Sequence, residues 1–470
     1  MSAKTSVPGA QAKRFAAYME SLAKAAGHAD RSAPLKAYCA GLLLPGERKS
    51  VEPMAARLAP DNVRRMHQSL HHLVADAPWS DEAILEQVRS YGVAAMKDKG
   101  GLLAWIVEDT GFPKKGIHSV GVTRQYCGQV GKRDNCRVAV NLSVTSNMAS
   151  LPIAFRLYLP EVWAHDAKRR KQAGIPDPIR FQTKPEIALE QIRQAVQNEV
   201  TQAPVLADAA YGNDAGFRAG LEELKLPYVV GVQSSTTVWP LGTGPLPAKR
   251  WSGKGRPTSQ LRRDAKHPPL SAKELALCLT AEDFHIVRWC EGTKGKLRSR
   301  FAAVRVRPAH RHYWRRTPHE EQWLLIEWPK AEKEPTKYWL ANVAAHTSLK
   351  ALVFLAKLRW RIERDYEELK QELGLGHYEG RGWRGFHHHA TLCIAAYGFL
   401  VAERSRFSSS ARAVMLDYQS PRCRRTSNRG GARLRPERHN PHSITTLRIS
   451  ITHHLLRPAP HCPFCRALRL

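Results

Sequence analysis

The chain has 470 residues, with 73 Lys+Arg against 42 Asp+Glu, a formal net charge of +31 and 43% hydrophobic residues. That hydrophobic share excludes wholesale disorder, and the length suits about three domains of ordinary size. A positive excess this large repels itself unless a polyanion offsets it, which points to nucleic acid ahead of an anionic membrane surface.

A membrane span is not expected. The longest apolar stretch, 390–402, has 13 residues and includes Thr391 and Tyr397, whereas a spanning helix needs about 20. Residues 1–14 carry basic side chains but no apolar run, so no signal peptide is expected. The nine cysteines are scattered singly apart from Cys462 and Cys465, as in a reducing cytosol. The expected location is cytoplasmic.

In chain order, residues 1–98 read as a helical N-terminal domain. An apolar helix over 35–44 closes at Pro45-Gly46, a second covers 51–58 and stops at Pro60, a third covers 61–74, and a fourth opens at Ser80 with Asp81 and Glu82 in its first turn. Short helices with tight turns suit a helix-turn-helix DNA reader, or equally a small bundle that docks on the next domain.

Residues 99–235 form the first part of an α/β core. Strands are expected over 102–108, 137–144 and 153–159, then a helix over 184–199 with capping-box spacing at Thr183 and Glu186. A strand at 205–207 runs into Asp208, and a helix over 215–224 and a strand at 228–232 come after it. Residues 236–345 read as a mostly β insertion: a Pro- and Gly-rich loop over 239–269, then strands at 284–289, 300–307, 322–328 and 338–342. Residues 346–405 return to helix, continuous over 349–373, and complete the core. Residues 406–470 form a basic, partly disordered tail, with 12 Arg, no Lys and two acids from 411 onward.

Two acids stand at the ends of apolar strands, Asp109 after Ala-Trp-Ile-Val-Glu and Asp208 after Pro-Val-Leu-Ala. With a third carboxylate they would form a site for two Mg²⁺ ions, the arrangement that activates an attacking oxygen and stabilises a leaving one in phosphodiester cleavage. Glu363 is the best third acid. At about 100° per residue it shares a helical stripe with Arg359 and Lys370, two phosphate-seeking cations. Glu367 falls within about 40° of Glu363 and is its rival. The bland readings are a turn former or helix cap for each Asp and a solvated ion pair for Glu363.

The strand order, the Asp109, Asp208 and Glu363 set and the spacing Arg359-x₃-Glu363-x₆-Lys370 resemble the DDE transposases of bacterial insertion sequences. They are most similar to the branch with a Tyr-Arg-Glu-Lys signature and a β insertion before the last catalytic helix. The stretches Trp105 to Gly116, Ala207 to Gly212 and Arg359 to Leu375 carry the likeness, which extends over about 30–405. The resemblance implies an RNase H-like mixed-sheet core holding two divalent ions, Mg²⁺ with Mn²⁺ as a substitute. It also implies cleavage of element ends, joining of the 3′ ends to target DNA, and a homodimeric synaptic complex on double-stranded DNA in the nucleoid. The family's Tyr, seven residues before the Glu, falls on Ala356 here, at a phosphate or hairpin contact. The competing reading is a decayed copy or regulator that binds ends without cutting.

Other cations are candidate DNA contacts: Lys114, Lys115 and Arg133 soon after the first acid, and the run 168–171. Trp289 precedes a basic stretch in the insertion. Relatives of the resembling branch use an insertion aromatic to hold a flipped base, against which core packing competes. His387, His388 and His389 point in different directions and do not read as one metal site, and Cys462 and Cys465 have the spacing of half a zinc site.

Overall fold

The structure, a computed structural model, describes residues 8–97, 101–254, 256, 259–292, 295–310, 317–406 and 443–456. Among the described residues, α-helices come first: α1 (Pro8–Ala25), α2 (Ala29–Leu43), α3 (Val51–Leu58), α4 (Val63–His71), α5 (Asp81–Val88) and α6 (Ala94–Lys97). Ser80 caps α5 as its position suggests, its Oγ accepting from Ala83 N at 3.2 Å. The core elements follow as β1 (Ala104–Pro113), β2 (Thr123–Cys127), β3 (Lys132–Thr145), β4 (Ser150–Leu157), α7 (Glu161–Ala164), α8 (Ala167–Ala173), α9 (Lys184–Gln197), β5 (Val205–Ala207), α10 (Ala209–Gly212), α11 (Ala215–Glu223) and β6 (Tyr228–Val232). Thr183 and Glu186 close the expected capping box on α9.

The insertion contributes β7 (Thr237–Pro240), β8 (Leu270–Ser271), α12 (Ala272–Leu277), β9 (His285–Gly292), β10 (Gly295–Pro308), β11 (Gln322–Glu327) and β12 (Lys337–Ala341). It is not a separate body. Because β12 pairs antiparallel with β6, from Tyr338↔Val232 to Ala341↔Val229, core and insertion share one 12-stranded mixed sheet. The path runs β2-β3-β1-β5-β6-β12-β11-β10-β7-β8, with β4 on β3 and β9 on β10. This is the mixed α/β sheet expected of an RNase H-like core.

The expected helix over 349–373 is two helices, α13 (Leu349–Leu358) and α14 (Trp360–Leu373), broken where the N–H of Arg359 turns to the Lys357 carbonyl. Gly374 ends α14 in the left-handed region at φ 70°, where a side chain would be strained. The helix α15 (Trp383–Ser405) is apolar on all sides, and every residue except Arg384 and Arg404 is buried. It is the axis of the core. Helices α1, α2, α5, α6 and α14 and strand β4 all pack on it, fixed by Tyr18 Oη to the Ala395 carbonyl (3.0 Å) and by Arg14 on Glu403 (2.6 and 2.7 Å).

The N-terminal helices pack as a bundle docked on the core, since one apolar cluster holds Leu22, Leu42, Val88, Ile106, Leu206 and Phe399 together. Part of the tail is helical. Residues 444–456 form α16 (Ile444–Leu456), packed on α15 and tied by Arg448 to Glu372 at 2.7 Å. Cys462 and Cys465 lie outside the described residues. Among the described residues no helix is long and apolar enough to cross a membrane.

The histidines of α15 are interior connectors. His387 Nε2 accepts from the Leu157 N–H (3.1 Å) while Nδ1 faces the Trp383 carbonyl (2.9 Å). His389 Nδ1 meets Tyr38 Oη (2.8 Å) and Nε2 the Gly374 carbonyl (2.9 Å). Each ring is satisfied as a neutral imidazole, and burial lowers both from 6.5 to about 4. Below pH 6.5 the unfolded chain therefore takes up protons that the fold refuses. Stability should be full above about pH 6.5 and fall towards pH 4, by up to about 1.4 kcal/mol per pH unit for each ring. Urea unfolding at pH 7 and pH 5 measures this, and His389→Gln should flatten the profile. A flat wild-type profile would contradict it.

Candidate active site

The site lies where β1 and β5 diverge. β1 pairs with β3 along its whole length, from Ala104↔Thr145 to Pro113↔Cys136. Its parallel pairing with β5 covers only Trp105↔Val205 and Ile106↔Leu206. The strand thus runs through Asp109 rather than ending at 108, carried on by β3 while its other edge opens. The ammonium of Lys370 occupies part of that edge, donating to the Gly111 carbonyl at 2.9 Å.

Strand alternation sorts the acids by face. Ile106, Glu108 and Phe112 point towards α14 and α15: Phe112 packs edge-on to Phe386 at 5.7 Å, and Glu108 Oε2 accepts from Arg359 Nη1. Leu206 is the register partner of Ile106, so Asp208, two residues further in extended backbone, falls on the Glu108 side. Asp109 points the other way. Its Oδ2 takes Lys184 Nζ at 2.5 Å in the first turn of α9. Arg156, in the same cross-strand row through Val140, also meets α9, at Glu190 (2.8 Å).

Asp208 also caps a helix. Its Oδ1 accepts from Ala210 N at 2.9 Å, and it has no ion-pair partner among the described residues. Two glycines seat α10 on β6. A Cβ on Gly212 would lie 1.9 Å from the Gly231 carbonyl oxygen, and one on Gly231 would lie 2.9 Å from Ala209 N. Only a bare backbone permits that approach.

The stripe on the last core helices is partly realised. Arg359 spans two carboxylates, donating from Nη1 to Glu108 and from Nη2 to Glu363 Oε1 at 3.3 Å. Glu363 is 65% exposed in its side chain, whereas Lys370 is drawn inwards over the Phe112 ring (5.1 Å) and pushed down to about 8 by burial. Glu367 is exposed and takes Gln371 Nε2 (3.1 Å), away from the strand acids.

The other candidates are dispersed. Lys114 donates to the Tyr378 carbonyl at 2.9 Å, and burial brings it down to about 8. Lys115 is exposed, and Arg133 is an exposed residue of β3. Trp289, on β9, is half-buried, edge-on to Phe301 at 5.6 Å, with Lys357 Nζ 4.7 Å from its ring. Those contacts pack the ring against the edge of the core.

Glu108 was not among the residues expected from the sequence, and it lies buried beside Arg359. Burial, together with the charges of Asp208 and Asp109 and against the pull of Arg359, raises its carboxyl to about 7. Its signal was available in the parity of Ile106 with Glu108 and of Leu206 with Asp208. The buried hydroxyls of Tyr211 and Tyr366 have no hydrogen-bond partner among the described residues. Burial raises both phenols well above the usual range, and Glu108 and Asp109 add to each shift.

Three carboxylates with two spare hydroxyls are a hard-oxygen donor set suited to a divalent ion such as Mg²⁺. Among the described residues, however, no three of His, Cys, Asp and Glu converge closely enough to hold one. Arg359, lying between Glu108 and Glu363, supplies positive charge in the arrangement seen. Removing it strands a buried Glu108 beside Asp208. Arg359→Ala should cost about 1–3 kcal/mol in urea unfolding, and Glu108→Gln added to it should recover most of that loss. Additive losses in the double variant would contradict the coupling.

Two comparisons with known proteins bear on the chain's family. The chain matches the family described as DDE superfamily endonuclease over residues 21–296, a range that contains Glu108, Asp109 and Asp208 but ends before Glu363. It is also 31% identical over 221 residues to a probable transposase for insertion sequence element IS701 from Microchaete diplosiphon. That alignment covers 46% of this chain and 53% of the relative, so the chain spans about half the length of the curated protein it matches. With the family match taking in more than half of its residues, the chain belongs to the DDE superfamily endonucleases.

Proposed function

We propose that the chain is an insertion-sequence transposase that binds element ends on double-stranded DNA, cleaves them and joins the 3′ ends to target DNA. The observation that carries this reading is the fork itself. On a chain of net charge +31, Glu108 and Asp208 share one face of the sheet with the Arg359–Glu363 pair. Glu108, Asp208 and Glu363 are the proposed ligands of divalent metal. Asp109, the residue expected from the sequence, pairs with Lys184 at the start of α9 and is the alternative ligand at this position of β1. Bound divalent ions supply an activated attacking oxygen and charge stabilisation at the leaving oxygen.

The chain's own residues do the positioning. Arg359, once its carboxylates are neutralised by another cation, is free to meet a phosphate, and Lys370 fixes the open edge of β1 beside it. The Tyr211 and Tyr366 hydroxyls are spare donors for the carboxylates around them. Two ends cut in one event call for two copies of the chain, so a homodimeric synaptic complex on nucleoid DNA belongs to the same proposal.

The test is cleavage of a plasmid carrying the element's ends, with Mg²⁺ or Mn²⁺. Glu108→Gln, Asp208→Asn and Glu363→Gln should each lose more than about a hundredfold in rate, with DNA binding retained. Asp109→Asn should keep cleavage. Loss in Asp109→Asn with activity in Glu108→Gln would return the β1 position to Asp109. Binding by the wild type without cleavage under either metal would favour an end-binding protein and overturn the transposase reading.

A further inference from the structure

A cleft of about 600 Å³ opens where the loop after β1 meets α7 and α8. Its walls include Ile117 and His118 from that loop, Trp163 from α7, Lys168 and Arg169 from α8, and Arg381 just before α15. The walls are built rather than incidental. The Val120 N–H donates to the Arg381 carbonyl at 2.9 Å, and Trp163 Nε1 donates to the Val122 carbonyl at 2.8 Å. Arg169 lies over the buried Trp163 ring at 5.3 Å.

The charge of the cleft is one-sided. Lys168, Arg169 and Arg381 face a single carboxylate, Asp166, which is already used: Oδ1 caps Arg169 N at 2.9 Å and Oδ2 pairs with Arg169 Nε at 3.4 Å. Lys168 and Arg381 have no ion-pair partner among the described residues. Their basic neighbour Arg170 is different, being consumed by the Ile179 and Pro176 carbonyls at 2.9 and 3.1 Å. Within the basic run on α8, Arg170 thus braces a loop while Lys168 and Arg169 face the cleft. Ile117, 60% exposed, adds an apolar surface beside them. Free cations next to a small apolar wall suit a phosphodiester with its sugar.

We propose that this cleft is a second DNA contact, gripping the backbone of the duplex through Lys168, Arg169 and Arg381 where it leaves the carboxylates. It rests on the transposase reading, because β1 and the loop after it connect the two places directly. The contact is to phosphate and carries no base specificity. It fixes the register of the duplex on the protein, with affinity that depends on salt.

Fluorescence anisotropy with a labelled duplex, titrated with NaCl, tests it on the full chain. For Lys168→Ala/Arg169→Ala/Arg381→Ala, the slope of log affinity against log salt should flatten by about 0.9 for each phosphate released, so by about 2–3. Because Arg169 packs on Trp163, the pair Lys168→Glu/Arg381→Glu, at exposed positions, repeats the test without touching that packing. A charge-matched control, Lys330→Ala/Lys333→Ala/Lys337→Ala in the insertion, should flatten the slope less. An unchanged slope in both cleft variants, or equal flattening in the control, overturns the cleft alone. Failure of the wild type to bind DNA at all would instead sink the transposase reading.

Discussion

The parting of β1 and β5 after two paired residues is the constraint on which the rest of the site depends. Parallel strands that separate leave a crevice beyond their carboxyl ends, the usual place for ligands in open α/β sheets. Here β3 holds β1 straight through the split, so the side chains beyond Ile106 stay in fixed alternation instead of fraying. On the other arm β5 is only three residues long, and its chain turns at once into α10. The Gly212–Gly231 contact keeps that turn tight, so Asp208 stays beside the crevice rather than drifting over β6.

Charge within the crevice is distributed unevenly between the faces of the sheet. On one face Asp109 is matched by Lys184, one anion to one cation. On the other, Glu108 and Glu363 share a single guanidinium, that of Arg359, and Asp208 has no ion pair among the described residues. A chain so rich in Lys and Arg had ample cations to complete the match. Instead it leaves a local deficit of positive charge at the crevice, while Lys370 and Lys114 are tied to backbone carbonyls.

Much of this was legible in the sequence, for identifiable reasons. Strands at Val205–Ala207 and Tyr228–Val232 are short apolar runs between turn signals, and Thr183 with Glu186 marks the start of α9 through local hydrogen bonds alone. What escaped depends on partners distant in sequence. Nothing local says that β1 continues through Asp109, because the reason is its register with β3. The choice between Glu108 and Asp109 is a question of face, and it turns on which side of the sheet α9 and α14 occupy. The break at Arg359 and the joining of the insertion to β6 were hidden for the same reason.

The buried axis α15 has a consequence for how the protein comes into being. The helices made first, α1, α2 and α5, and strand β4 all bury their apolar faces against a segment that begins only at Trp383. A nascent chain therefore carries several hundred residues of half-finished apolar surface before its axis leaves the ribosome. The core closes late and in one piece, rather than domain by domain as synthesis proceeds. During that interval the unburied apolar faces are open to aggregation and to chaperones.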